Sequence, residues 1–163
     1  MNIEKVKARR IYAGDKAEPS VLALLEEEFY DEHRKAYWED IDIDFFKWVI
    51  VAEYEEEVIG VITAQDYLPK KPVVTDCLVK DEYRGMMVLY VLWECFLTHL
   101  RDEGYVSVIG YPDLDNRGTV NTYLRVGMIM DPVAAIAGGV EYILGNTKQK
   151  LQQMSMIMKR RGQ

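Results

Sequence analysis

The chain has 163 residues, 49% hydrophobic and 29% charged, with a formal net charge of −7 and a pI near 4.9. That is about one domain's worth of chain with room for a core, and its acidity disfavours nonspecific binding to nucleic acid, which depends on basic side chains at phosphates. No apolar run approaches transmembrane length and residues 1–10 are too charged for a secretory signal, so a cytoplasmic protein without a membrane partner is expected.

In chain order, residues 6–12 mix apolar and basic side chains and read as an edge strand. Gly14-Asp15 reads as a turn, and Glu18-Pro19-Ser20 opens a helix with Ser20 or Asp15 as its cap. Val21, Leu22, Leu24, Leu25, Phe29 and Tyr30 are its apolar positions. A second stretch over 31–46, helix or partly loop, has Trp38, Ile41 and Phe45 as its inner side. Two β-branched runs, 47–53 and 58–64, flank a tight charged connection and predict a hairpin. Residues 67–72 carry two prolines and read as loop. Residues 73–79 then form the third strand of an antiparallel meander.

After that strand the chain reads Lys80-Asp81-Glu82-Tyr83-Arg84-Gly85, and a helix starts near Met87. Leu89, Leu92, Trp93, Phe96, Leu97 and Leu100 recur at steps of three and four, one buried helix face, and Gly104 closes it. Residues 106–109 read as a short buried strand. A further helix capped by Asp115 or Asn116 runs to about Val126, where Gly127 ends it. A final hairpin over 128–137 and 140–144 turns at Gly138-Gly139. One domain over 1–147 and a polar, basic tail or helix over 148–163 follow from this reading. The order β–α–α–β–β–β–α–β–α–β(β) has a helix-crossover unit at its centre, an α+β or mixed α/β layout. Its loop turns unpaired N–H groups and a helix N-terminus toward the carboxyl end of a strand, a geometry that binds anions and phosphates above all.

The run Val79-Lys80-Asp81-Glu82-Tyr83-Arg84-Gly85, with Asn116, Tyr123, Gly127 and Met128 at their spacing, resembles the GCN5-related N-acetyltransferases, the GNAT superfamily. Members carry a strand-end valine, then x-P-x-Y-R-G-x-G-x-G/A, a helix, a strand, and N-x-x-A-x-x-L-Y-x-x-x-G-F. The chain departs from this pattern at Asp81, where proline is usual, and at Met87 and Leu89, where glycine or alanine is usual. Thr119 and Thr122 replace alanine and leucine. The resemblance implies a central, mostly antiparallel sheet with helices on both faces and splayed central strands. It implies direct transfer of an acetyl group from acetyl-CoA to a primary amine.

The resemblance also assigns roles. Tyr123 would be the acid at the departing thiolate; otherwise it is a half-buried helix tyrosine. Asn116 would bond the pantetheine amides; otherwise it is a helix cap. The loop Arg84, Gly85, Met86, Met87, Val88, Leu89 would hold the pyrophosphate with its N–H groups, with Arg84 as a phosphate partner or a plain surface arginine. Leu78 and Val79 would offer backbone groups to the acetyl carbonyl. The amine's proton needs a base: Asp76 is the candidate, with Asp66, Asp113 and Glu53 as rivals.

Acidic residues 26–28, Asp31, Glu32, Glu39, Asp40, Asp42 and Asp44 would attract a small cationic amine or a protein amine, or form a solvated face. Cys77 and Cys95 lie in apolar runs and read as buried free thiols. His33 and His99 are isolated, and no metal site is expected. A homodimer is left open. Two other readings stand beside the enzyme. One is a GNAT fold that has lost acetyl-CoA and acts as an interaction or regulatory protein, motivated by Met87, Leu89 and the Met-rich tail. The other is an enzyme with a different acyl donor.

Overall fold

A computed structural model describes residues 1–12, 46–68, 71–105, 107–110, 117–131 and 141–145. Its strands are β1 (Lys7–Ile11), β2 (Trp48–Tyr54), β3 (Glu57–Leu68), β4 (Lys71–Val79), β5 (Ser107–Gly110), β6 (Ile129–Asp131) and β7 (Glu141–Gly145). Its helices are α1 (Val88–Asp102) and α2 (Arg117–Arg125). The strands form one sheet in the order β1-β2-β3-β4-β5-β7-β6. Each neighbouring pair is antiparallel except β4 and β5, which the α1 crossover makes parallel. This is the α+β layout expected, with β1 at one edge.

The sheet is apolar on both faces because β-branched runs fill both sides of the pleat. On one face Trp48, Ile50, Ile62 and Ala64 join Leu92, Trp93, Phe96 and Leu97 of α1 in the main core. On the other, Ile11, Phe46, Val49, Val51, Val58 and Val61 form a second buried cluster. α1 is amphipathic as its spacing predicts, with one change of register. Val88 is the buried residue at its start, and Leu89 is only half-buried against the core. The two helices expected between 20 and 46, the turn at Gly14-Asp15 and the tail over 148–163 lie outside the described residues.

The prolines mislead the reading of 67–72. β3 continues to Leu68 and β4 begins at Lys71, with Pro72 opposite Asp66 in the ladder. Proline is tolerated there because the neighbouring β4–β5 pairing begins only at Val73. Of the last hairpin, β6 and β7 pair antiparallel, and its turn at Gly138-Gly139 lies outside the described residues.

The β2–β3 hairpin closes through two residues, Glu55 and Glu56, both at positive φ (51° and 69°). A two-residue turn needs this left-handed pair to match strand twist, and Asn-Gly is its ordinary occupant. Each glutamate therefore carries local strain. Replacing both, Glu55→Asn with Glu56→Gly, is expected to stabilise the fold by about 1–2 kcal/mol. Urea unfolding should show the rise as a higher midpoint at unchanged slope.

Candidate active site

Among the described residues, β4 and β5 pair at Val73↔Ile109 and Val74↔Gly110, and β4 runs on to Val79. The break coincides with a bulge. On β3, Thr63 pairs with Asp76 and Ala64 with Val74, so Thr75 of β4 is an inserted residue. Beyond Val74, β4 has no β5 partner among the described residues, in keeping with the splayed central strands expected. Lys80 donates its amide to the Ile59 carbonyl (3.0 Å), which fixes the alternation. Leu78's backbone groups are used in the β3 ladder, and those of Cys77 and Val79 face the parting. Of the two residues expected to offer an amide there, Val79 is the one placed to do so.

The loop after β4 is tied to the β2–β3 hairpin. Lys80 Nζ donates to Glu57 Oε1 (2.7 Å), and the Tyr83 hydroxyl donates to Glu57 Oε2 (3.1 Å). The Lys80 bond holds the Glu57 carboxyl below its usual pKa, against a smaller opposing effect of burial. Arg84 Nε donates to the Val79 carbonyl (3.1 Å), and Arg84 Nη1 pairs with Asp81 (2.7 Å). The guanidinium therefore braces the strand end at the rim of the loop.

Beyond Arg84 the chain turns through Gly85 at φ 76° and Met87 at φ 69° into α1. Among the described residues, the amides of Gly85, Met87, Val88 and Leu89 donate no backbone hydrogen bond of normal geometry. Met87, the residue that caps α1, makes no side-chain capping bond. Four donors and the positive end of a 15-residue helix meet at the mouth of the parting, which fits an anion.

The left-handed turn that glycine would adopt freely is here imposed on methionine, at a cost of about 1–3 kcal/mol. An exposed pair such as Arg84–Asp81 offsets at most about 1 kcal/mol. Burial of Val88, the next residue, contributes about 1.5–3 kcal/mol and is the larger restraint.

Tyr123 sits deep at the same place. It is 4% exposed, not half-exposed. Its carbonyl accepts the Met128 amide (2.9 Å) and Leu124's accepts the Gly127 amide (3.0 Å). Gly127, at φ 88°, makes this helix end possible. The phenol ring stands edge-on to Trp93 of α1 at 6.1 Å. It also lies directly on Gly110 at the end of β5. A Cβ there would come 2.5 Å from Cε2, 2.8 Å from Cζ and 3.0 Å from the hydroxyl. Burial, with added repulsion from Cys77 and Asp76, pushes the Tyr123 hydroxyl far above its ordinary pKa of 10.

Cys77 is half-buried and free. Burial raises its thiol to about 12, opposed by the Trp93 indole N–H beside it. That indole nitrogen, fully buried, has no hydrogen-bond partner of normal geometry.

Asp76 lies on the opposite face, one residue along β4, where its Oδ2 accepts from the Thr63 hydroxyl (2.6 Å). The rival carboxylates are elsewhere. Asp66 accepts from Lys47 Nζ (2.6 Å) and the Tyr105 hydroxyl (2.8 Å) at the far end of β3. Glu53 pairs with Arg9 (2.8 Å) at the edge of the sheet. Asp113, Asn116 and the acidic run over 26–44 lie outside the described residues. Trp93, Gly110 and Thr63 had no role in the sequence reading. Trp93 looked like one core residue among six, and Thr63 like a β-branched strand residue. Only Gly110, a glycine closing an apolar strand, gave a local signal.

Met87→Gly is expected to stabilise the protein by about 0.5–1 kcal/mol in denaturant unfolding. Met87→Ala, which keeps a Cβ in the left-handed turn, should give no such gain.

The sequence profile of the Acetyltransferase (GNAT) family matches residues 18–128. A search of curated proteins finds no match. Among solved structures, the chain is similar to Ard1 from Thermoplasma volcanium, with a TM-score of 0.64 and 16% identity over 85% of this chain and 95% of that one. It is similar to a GNAT family acetyltransferase from Elizabethkingia anophelis with acetyl-CoA bound, with a TM-score of 0.67 and 10% identity over 87% and 99%. It is similar as well to PaiA N-acetyltransferase from Thermoplasma acidophilum in complex with coenzyme A, with a TM-score of 0.65 and 12% identity over 86% and 98%. At these identities the structures share the fold, and the profile match, which spans more than half of the chain, places it in the GNAT acetyltransferase family.

Proposed function

We propose that the chain is an acetyl-CoA-dependent N-acetyltransferase that passes the acetyl group directly to a primary amine. The observation that carries this reading is the parted β4–β5 pair, with Tyr123 on one face of the sheet and Asp76 on the other. Acetyl-CoA supplies an acetyl group activated as a thioester. The amides from Gly85 to Leu89 hold the pyrophosphate, with Arg84 at the rim, and Asn116 is the partner for pantetheine. The Val79 amide receives the acetyl carbonyl oxygen and stabilises the charge that develops there. The amine, drawn in as a cation, gives up its ammonium proton to solvent and approaches from the Asp76 face as a free base. As its nitrogen bonds the carbonyl carbon, the C–S bond breaks and the nitrogen's proton passes to Asp76.

Tyr123 acts at the sulfur as a hydrogen-bond donor. A thiol has a pKa of about 8.5, whereas the buried phenol lies far above 10, so full proton transfer would run uphill. Thiolate leaves with a bond from the Tyr123 hydroxyl and takes its proton from solvent. The acceptor is a small cationic amine or a protein amine, drawn by the acidic residues over 26–44. Among the described residues, no helix is long and apolar enough to cross a membrane.

Met87 favours a second reading, in which the fold no longer takes acetyl-CoA and serves as an interaction or regulatory protein. Its side chain is half-buried at a position that the family pattern gives to glycine or alanine. A longer acyl-CoA as donor is the intermediate case. Calorimetry with acetyl-CoA and a thermal-shift panel of CoA esters separate the three, because a ligand of the folded state raises the midpoint. Acetyl-CoA should bind below about 1 mM, and absence of binding at that concentration sinks the enzyme reading.

Tyr123→Phe should lower kcat by about 10²-fold with little change in acetyl-CoA affinity. The Tyr123 hydroxyl should contribute no alkaline fall in kcat up to pH 10, the ordinary phenol value.

A further inference from the structure

Thr63 of β3 carries a hydroxyl into the sheet's interior, at 0% exposure. A hydroxyl in such a place is expected to be fully hydrogen-bonded. Its Oγ1 lies 2.7 Å from the Thr75 hydroxyl and donates to Asp76 Oδ2 at 2.6 Å. An ionised carboxylate only accepts, so the single Thr63 proton goes to Asp76. Thr75 must then supply its own proton to Thr63. The two hydroxyls stand in series, pointing one way, and end on the carboxylate.

The bulge makes this possible. In a regular strand Thr75 would point to the face opposite Asp76. As the inserted residue it shares the Thr63 and Asp76 face, away from α1. The bulge in β4 therefore assembles the hydroxyl series.

We propose that Thr63 and Thr75 are positioning residues for the base, holding the Asp76 carboxylate in one orientation and as an anion where the amine enters. This rests on the reading of Asp76 as the base. Hydrogen bonds to a carboxylate favour its charged form and weaken it as a base. A base weakened in this way suffices, because the nitrogen becomes strongly acidic once it has bonded the carbonyl carbon. The titratable groups whose charge couples to Asp76 are Cys77, its neighbour on β4, and Tyr123 from α2. Burial keeps both protonated, so neither is charged where a carboxylate titrates. Asp76 has a further interaction besides these.

The test is a carbon-13 NMR titration of carboxyl-labelled aspartate in the full chain, with Asp76→Asn to identify the resonance. Thr63→Val keeps shape and strand propensity and removes the hydroxyl that donates to Asp76 and accepts from Thr75. The Asp76 midpoint should rise by about one pH unit in Thr63→Val. It should rise less in Thr75→Val and return to the original value in Thr63→Ser. Unchanged resonances from the other aspartates report an intact fold. An unmoved Asp76 midpoint in Thr63→Val overturns the proposal. Turnover of acetyl-CoA with spermidine as probe amine is read on the same variants. Thr63→Val should lower kcat, leave the acetyl-CoA KM unchanged and move the acid limb upward with the NMR midpoint. Full turnover in Asp76→Asn removes the base reading itself, a failure distinct from an unmoved midpoint.

Discussion

The architecture turns on one inserted residue. Thr75 bulges from β4, and among the described residues no hydrogen-bonded pairing of β4 with β5 continues past Val74. Each such bond contributes about 0.5–1.5 kcal/mol net, so losing a few is a modest cost beside the burial of Trp48, Trp93, Phe96 and their neighbours. A sheet with an apolar core on both faces tolerates a break at its centre. A thinner one would not.

The loop that faces this break shows how far geometry is set by the fold. Its left-handed turn survives with methionine in place of glycine, because the strand end before it and the helix after it are both fixed. Backbone donors are indifferent to side-chain identity, so the loop keeps its unpaired N–H groups with methionine in place. What methionine changes is the space in front of those donors. The question of donor identity is therefore one of volume rather than of hydrogen bonding.

Much of the fold was legible because its signals are local. The period of α1, the charged connection of the β2–β3 hairpin, and Gly104 and Gly127 after their helices each follow from a few adjacent residues. The two carboxylate environments were not legible. Asp66 and Asp76 sit in similar strand contexts, and only the ladder shows one bound to Lys47 and Tyr105 and the other at the parting. The bulge left no trace in the sequence, since Val73-Val74-Thr75-Asp76-Cys77 is nearly featureless to a period-two reading. Pro72 was misread for a related reason: a strand lacking a full set of neighbours can hold a residue without an N–H. The depth of Tyr123 depends on Gly110, 13 positions earlier in the chain, and on Trp93, 30 positions earlier.

A sheet that is sealed along its length has an inside and an outside, and nothing passes between them. In this sheet a phenol lies on one face and a carboxylate on the other, beside the place where the β4–β5 pairing stops among the described residues. On the reading proposed above, donor and acceptor reach the site from opposite faces, so neither has to leave before the other can enter.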